Sequence, residues 1–281
     1  MLVDLERQSI IPDEIIVIDS SSDDKTAEYV KKHPRARLIV IERADFDHGG
    51  TRDYALRESI GDFVLFLTQD ALPKDSHYIE HIIRPFDDKQ VALVYGRQLP
   101  RDDARAAERI IRHYLYPDES FSVTSDDILK MGIKAFHASD VCSAYRRSAY
   151  ESVGGFEKPV LTNEDMFIAA KFLRGGWTIV YEAGAEVIHS HNFTFKQQYR
   201  RNYIQGVEIE KHRNILGSAP LSGEGFALMN YTLHRLIQDR YLIEVPRFII
   251  DCGFRFIGNR KGIIDAKYEI RMSQRKGRSN N

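Results

Sequence analysis

Five short runs in this chain carry residues able to do chemistry. Asp19 closes the apolar run Glu14–Asp19, and Asp70 follows Phe63–Leu67 within Thr68-Gln69-Asp70. An acid just beyond a strand can hold a divalent cation, and that cation can bridge a diphosphate. Gly49-Gly50-Thr51-Arg52 stands at a helix start, where backbone amides and a guanidinium can hold phosphate oxygens. Asn163-Glu164-Asp165-Met166 opens another helix. Carboxylates in a first turn suit the helix dipole, and one turned toward bound substrate can take a proton from a hydroxyl. His189-Ser190-His191 puts two imidazoles two residues apart, on one side of an extended strand, so both can reach one ion. Each run also has a plainer reading as a turn, a cap or a chance spacing.

The elements that must position these residues follow from the hydrophobic pattern. Apolar runs at Glu14–Asp19, Arg37–Ile41, Phe63–Leu67 and Val91–Tyr95 alternate with helical stretches near Lys25–Lys32 and after Gly50. This order predicts an α/β fold with a mostly parallel central sheet flanked by helices, and ligands beyond the carboxyl ends of its strands. Pro100 to Lys134 is polar and reads as an insertion or lid with some helix. Apolar signals return at Val141–Tyr145, a helix from about Asn163 to Leu173, and strands near Thr178–Tyr181 and Glu186–Ile188. Gly154-Gly155-Phe156 reads as a turn, and the chain beyond Phe193 as helical. Leu2 and Leu5 suggest a helix with no strand before it, so the usual first strand of such a sheet is expected to be missing.

Composition narrows the class of partner. Forty basic residues nearly cancel 41 acidic ones in 281, which gives no reason to expect a nucleic-acid partner. Two distant cysteines, Cys142 and Cys252, fit a reducing cytoplasm rather than a disulfide scaffold. No apolar run reaches the ~18 residues that span a bilayer, and the charged start does not read as a signal peptide. Phe248, Ile249, Ile250, Phe254, Phe256 and Ile257 are interleaved with Arg247, Arg255, Arg260 and Lys261. Such a stretch can lie along a membrane surface or pack as an ordinary helix. A basic tail, Arg271 to Asn281, follows it.

Taken in order, these runs are similar to a known family. Asp13 to Thr26 resembles the nucleotide-binding start of family 2 glycosyltransferases. Phe46-Asp47-His48-Gly49-Gly50-Thr51-Arg52-Asp53 and Thr68-Gln69-Asp70-Ala71-Leu72-Pro73 resemble its rhamnosyltransferase branch. So do Ser143–Tyr150, Gly154-Gly155-Phe156, Glu164-Asp165 and Ser190-His191-Asn192. The resemblance spans about Asp13 to Asn202. It implies a GT-A fold, a nucleotide-diphosphate sugar donor, Mg²⁺ or Mn²⁺, and a glycan or polyprenyl-linked glycan acceptor at the inner face of the membrane. It implies a donor-binding set of Asp19, Ser21, Gly50, Arg52, Thr68, Gln69 and Asp70. Asp70 matches the last acid of the family's Asp-x-Asp motif, and Thr68 stands where the first acid usually is, so His191 is a candidate to complete the metal site. Asp165, with Glu164 beside it, matches the catalytic base. The implied organisation is a transferase domain over 1–202, with a nucleotide-binding part at about 1–99 and an acceptor and catalytic part at about 135–202, then a helical region over 203–281. Transfer of another hexose, an inactive binding homologue and a nucleotidyltransferase remain open alternatives.

Overall fold

Valine, isoleucine and phenylalanine crowd the runs that become strands, because β-branched and aromatic side chains pack well on a pleated surface. The computed structural model describes residues 1–217 and 224–279. It begins α1 (Leu2–Glu6), β1 (Ile15–Asp19), α2 (Thr26–Lys31), β2 (Ala36–Val40), α3 (His48–Glu58) and β3 (Phe63–Leu67). Next come β4 (Leu72–Pro73), α4 (Tyr78–Ile83), β5 (Val91–Leu99), α5 (Ala106–Leu115), β6 (Phe121–Val123), α6 (Ile128–Met131) and β7 (Cys142–Arg146). The rest is α7 (Arg147–Ser152), α8 (Glu164–Arg174), β8 (Thr178–Ile188), α9 (Phe195–Lys211), α10 (Arg213–Leu216), α11 (Glu224–Gln238) and α12 (Glu244–Ser279).

The sheet corrects the expected topology. β1 and β2 pair in parallel as a small sheet of their own. The main sheet has six strands in the order β3-β7-β5-β8-β4, with β6 also on β8, and it is mostly antiparallel rather than mostly parallel. Only the β5–β8 pairing is parallel; β7 lies between β3 and β5 and runs against both. The reason is physical. A continuous apolar run reports cover on both faces of a strand and carries no direction. Direction came from β7, whose insertion between two earlier strands no local pattern announces. The two runs expected near Thr178 and Glu186 are one strand, β8, with alternating burial. The stretch expected to be an insertion contains α5, β6 and α6.

The described residues form two compact units. The first comprises 1–99, 116–160 and 164–189 and holds both sheets. Val91, Val94, Ala144 and Val187 of its strands pack with Tyr78, Ile79 and Ile82 of α4 and with Phe86. Burying each large apolar side chain contributes ~1.5–3 kcal/mol. Gly154 and Gly155 have φ of 78° and 70°, so the expected turn uses the left-handed region that glycine enters without a Cβ penalty.

The second unit comprises 100–115, 161–163 and 190–281, and its described part is mostly helical. α9 starts at a capping box in which Thr194 and Gln197 satisfy each other's backbone amides. Gly206 of α9 and Gly258 and Gly262 of α12 let these two helices touch backbone to backbone. A Cβ on Gly262 would sit 2.1 Å from the Tyr203 carbonyl oxygen, and one on Gly206 2.3 Å from that of Asn259. Ile110 and Ile111 of α5 pack with Leu236 of α11 and Phe248 of α12. The basic tail is helical to Ser279, and residues 280–281 lie outside the described residues. Among the described residues no helix is long and apolar enough to cross a membrane.

Candidate active site

The sheet brings several of the expected residues to one end. Leu67 of β3 pairs with Cys142 of β7, and Leu99 of β5 with Ile188 of β8. The carboxyl ends of β3, β5 and β8 and the start of β7 therefore meet, and the chain segments just outside them carry Thr68–Asp70, Ser139–Asp140 and His189. The Thr68 amide donates to the Val141 carbonyl at 3.1 Å, which ties the first two segments together.

Arg52 reaches this end from α3. Its Nη1 donates to Glu164 Oε1 at 2.5 Å, and its Nε lies 3.4 Å from Asp140 Oδ2. Asp140 is buried, and its Oδ1 accepts from Ser143 Oγ at 2.7 Å and Tyr145 Oη at 2.6 Å. Asp165 follows Glu164, and its Oδ1 accepts from the Met166 amide at 2.8 Å. One guanidinium thus faces three carboxylates. Burial disfavours the Arg52 cation, but Asp140, Glu164 and Asp165 outweigh it and raise its pKa. Loss of water around Asp165, then the charges of Glu164 and Asp140, push its carboxyl well above the usual range against the pull of Arg52. Asp165 keeps some exposed surface, yet the two neighbouring acids act in the same direction as burial. Asp140 is raised mainly by burial too.

His189, Asp70 and His191 make a second group. His189 Nε2 is 3.5 Å from Asp70 Oδ2. One ligand atom each from Asp70, His189 and His191 falls within 4.8 Å of the others. His189 Nδ1 lies 2.9 Å from Gln98 Oε1, and Gln98 Nε2 donates to Tyr116 Oη and Ser139 Oγ, both at 2.7 Å. With its amide hydrogens directed there, Gln98 presents its oxygen to the imidazole. The proton then belongs on Nδ1 and the lone pair on Nε2, the form a metal requires. Thr68 Oγ1 is buried without a hydrogen-bond partner, two residues before Asp70. A carboxylate, two imidazoles and an orphaned hydroxyl fit a divalent cation with a polar ligand beside it.

Of the other expected donor residues, Asp19, Ser21 and Gly50 are held within their own turns, and Gln69 lies between Thr68 and Asp70. Asp19 is buried, and its carboxylate accepts from the Ser22 hydroxyl and from the Ser22 amide at 3.1 Å. Ser21 has φ of 53° and its hydroxyl donates to the Ile41 carbonyl. Gln69 is exposed. The amides expected to offer themselves at the α3 start are engaged: Gly49 donates to the Val160 carbonyl, Gly50 to the Asp47 carboxylate and Thr51 to the Asp47 carbonyl. Asp47 is the N-cap of α3.

The sequence motif Glycosyl transferase family 2 matches residues 1–154. The chain is 37% identical over 261 residues to the O-antigen chain rhamnosyltransferase WbaN of Salmonella anatum, covering 92% of this chain and 82% of that protein. The chain belongs to glycosyltransferase family 2. This family 2 member is also 35% identical to the O-antigen chain rhamnosyltransferase RfbN of Salmonella typhimurium, over 92% and 82% of the two chains. Its fold is shared with a mannosyltransferase of Pyrobaculum calidifontis solved with GDP-Man and Mn²⁺, at a TM-score of 0.59 and 18% identity over 95% and 81% of the chains. The family 2 assignment makes the chain an inverting, metal-dependent glycosyltransferase with a nucleotide-sugar donor.

Sequence reasoning missed Asp140, Gln98 and Ser139, which bear no motif of their own. It put His189 beside His191 as a pair but gave the metal to His191 alone; their two-residue spacing was the signal that named both.

Proposed function

We propose that this enzyme moves L-rhamnose from dTDP-rhamnose to a hydroxyl of a glycan or polyprenyl-linked glycan, at the inner face of the cell membrane, in bacterial surface polysaccharide assembly. The observation that carries this reading is the 35–37% identity to two O-antigen rhamnosyltransferases over 92% of the chain. Asp165 is the base: it takes the proton of the acceptor hydroxyl, whose oxygen bonds to the anomeric carbon as the bond to the nucleotide diphosphate breaks on the opposite face. Arg52 keeps Glu164 and Asp140 in place around it. Asp70, His189 and His191 would hold Mn²⁺ or Mg²⁺, and the ion when bound supplies charge stabilisation for the departing diphosphate. Asp19, Ser21, Thr68 and Gln69 complete the donor-binding set.

The membrane placement is supported by α12. Ile250, Ile257 and Ile264, seven residues apart, are exposed on it together with Phe254 and Tyr268. Arg260, Lys261, Lys267, Arg271 and Arg275 are exposed around them, with Glu269 as the one exposed acid beyond Pro246 among residues whose side chains are described. An apolar stripe bordered by cations suits an anionic bilayer surface.

Donor hydrolysis tests the activity. dTDP-rhamnose, UDP-glucose and GDP-mannose are compared with Mn²⁺, Mg²⁺ and chelator. Turnover of dTDP-rhamnose at least ~10-fold above the others with Mn²⁺, a difference of about 1.4 kcal/mol in barrier, is expected. A preference for another donor would replace the rhamnose assignment.

A further inference from the structure

The second unit holds a cavity of its own, lined by the start of α5, the segment His191–Phe193, Gln198 of α9 and the first turns of α12. It is open to solvent, and its space including the mouth is about 400 Å³. The charges on its wall are not equally spent. Glu108 is paired with Arg112 at 2.8 Å, and Asp251 with Arg255 at 2.7 Å. Arg105 and Arg247 also line the cavity, and neither makes an ion pair among the described residues. Arg247 lies over the Phe195 ring at 4.7 Å, which holds the guanidinium without neutralising it. The Arg105 backbone is pinned by Asn192, whose side chain accepts from the Arg105 amide at 3.1 Å and donates to the Asp103 carbonyl at 2.8 Å. Glu244 is the single carboxylate in the lining without a salt bridge among the described residues. It stands in the first turn of α12, at the positive end of that helix.

Two planar, always-charged donors on the wall of one cavity carry the chemistry that recognises a phosphate ester. We infer that this cavity binds the phosphate or diphosphate group of the acceptor, with Arg105 and Arg247 as its direct ligands. The identification of the acceptor as the source rests on the lipid-linked reading above; the anion site itself does not. A diphosphate held here fixes the acceptor chain by its charged joint and leaves the sugar beyond it to be presented for transfer.

Full-length protein is titrated, in chelator and without metal, with inorganic pyrophosphate, geranyl diphosphate and geraniol. Binding is read by calorimetry and by the shift in melting temperature. Pyrophosphate and geranyl diphosphate are expected to bind and geraniol not to. R105Q and R247Q should each weaken diphosphate binding ~10-fold, the effect of about 1.4 kcal/mol of lost interaction, and R247K should recover most of it. Circular dichroism reports whether each variant is folded. Mn²⁺-dependent donor hydrolysis without acceptor should stay within about two-fold of wild type in R105Q and R247Q, a margin below 0.5 kcal/mol. This second readout separates the two proposals: loss of hydrolysis in wild type would speak against the transferase reading, not the anion site. Diphosphate binding unchanged in folded R105Q and R247Q, or no diphosphate binding by wild type, overturns the site. If geranyl diphosphate binds and inorganic pyrophosphate does not, the apolar tail is the ligand and the arginine assignment fails.

Discussion

Asp165 must be ionised to accept a proton, and its surroundings resist that. Burial and the charges of Glu164 and Asp140 raise its pKa. A base works only above its pKa, so transfer should climb with pH through a midpoint well above the ordinary carboxylate value. The pH profile of kcat checks this; a plateau extending down to about pH 4 would remove Asp165 from the role. Asp165→Asn should lower kcat ~10²–10⁴-fold while donor affinity, measured by calorimetry, holds within about two-fold. Gln98 acts one step further out. It orients His189 without belonging to the proposed ligand group. Gln98→Leu leaves the imidazole without the acceptor that fixes its tautomer, and the Mn²⁺ concentration for half-maximal donor hydrolysis should rise ~10–100-fold. An unchanged metal titration would leave Gln98 a purely structural residue. Asp70, Glu164 and Asp165 were legible as chemical candidates because acids stood at element boundaries. Asp140 was not, since an acid before a strand looks like any turn residue until Arg52, 88 positions away, is folded against it.

At the scale of elements, the crossing of α9 and α12 shows how close approach can override propensity. Gly→Ala inside a helix normally stabilises by ~0.5–1 kcal/mol. At Gly262 the new Cβ would meet the Tyr203 carbonyl oxygen at 2.1 Å, so the helices must separate. Gly262→Ala should therefore cost ~1–3 kcal/mol, seen as a lower denaturant midpoint. A more stable variant would mean that α9 and α12 do not pack this tightly. Several elements could be read from the chain to within a residue or two: β3 spans Phe63–Leu67 as expected, and α8 spans Glu164–Arg174. Their existence depends on local periodicity and capping, which a linear sequence displays. Their pairing does not, and the antiparallel placement of β7 is the instance that changed the sheet.

The whole molecule carries a formal charge of −1, yet the exposed face of α12 is basic and apolar. Net charge therefore says little about where this chain goes; the distribution decides. The protein should sediment with phosphatidylglycerol vesicles at low salt, detach as ionic strength rises, and lose most of that binding as Ile257→Asp with Ile264→Asp. Equal binding to phosphatidylcholine, or none to either, would sink the membrane reading. By itself the sequence determined the family, the strands and helices of the first 70 residues, and the acids and imidazoles able to do chemistry, because motif order, periodicity and side-chain type are properties of the chain as written. Only the tertiary structure decided strand direction, the gathering of Arg52, Asp140, Glu164 and Asp165, the raised pKa that follows, and the pair of arginines left without carboxylates. Those depend on which distant segments share a dielectric and a hydrogen-bond partner, and that is set by packing across the fold rather than by neighbours along the chain.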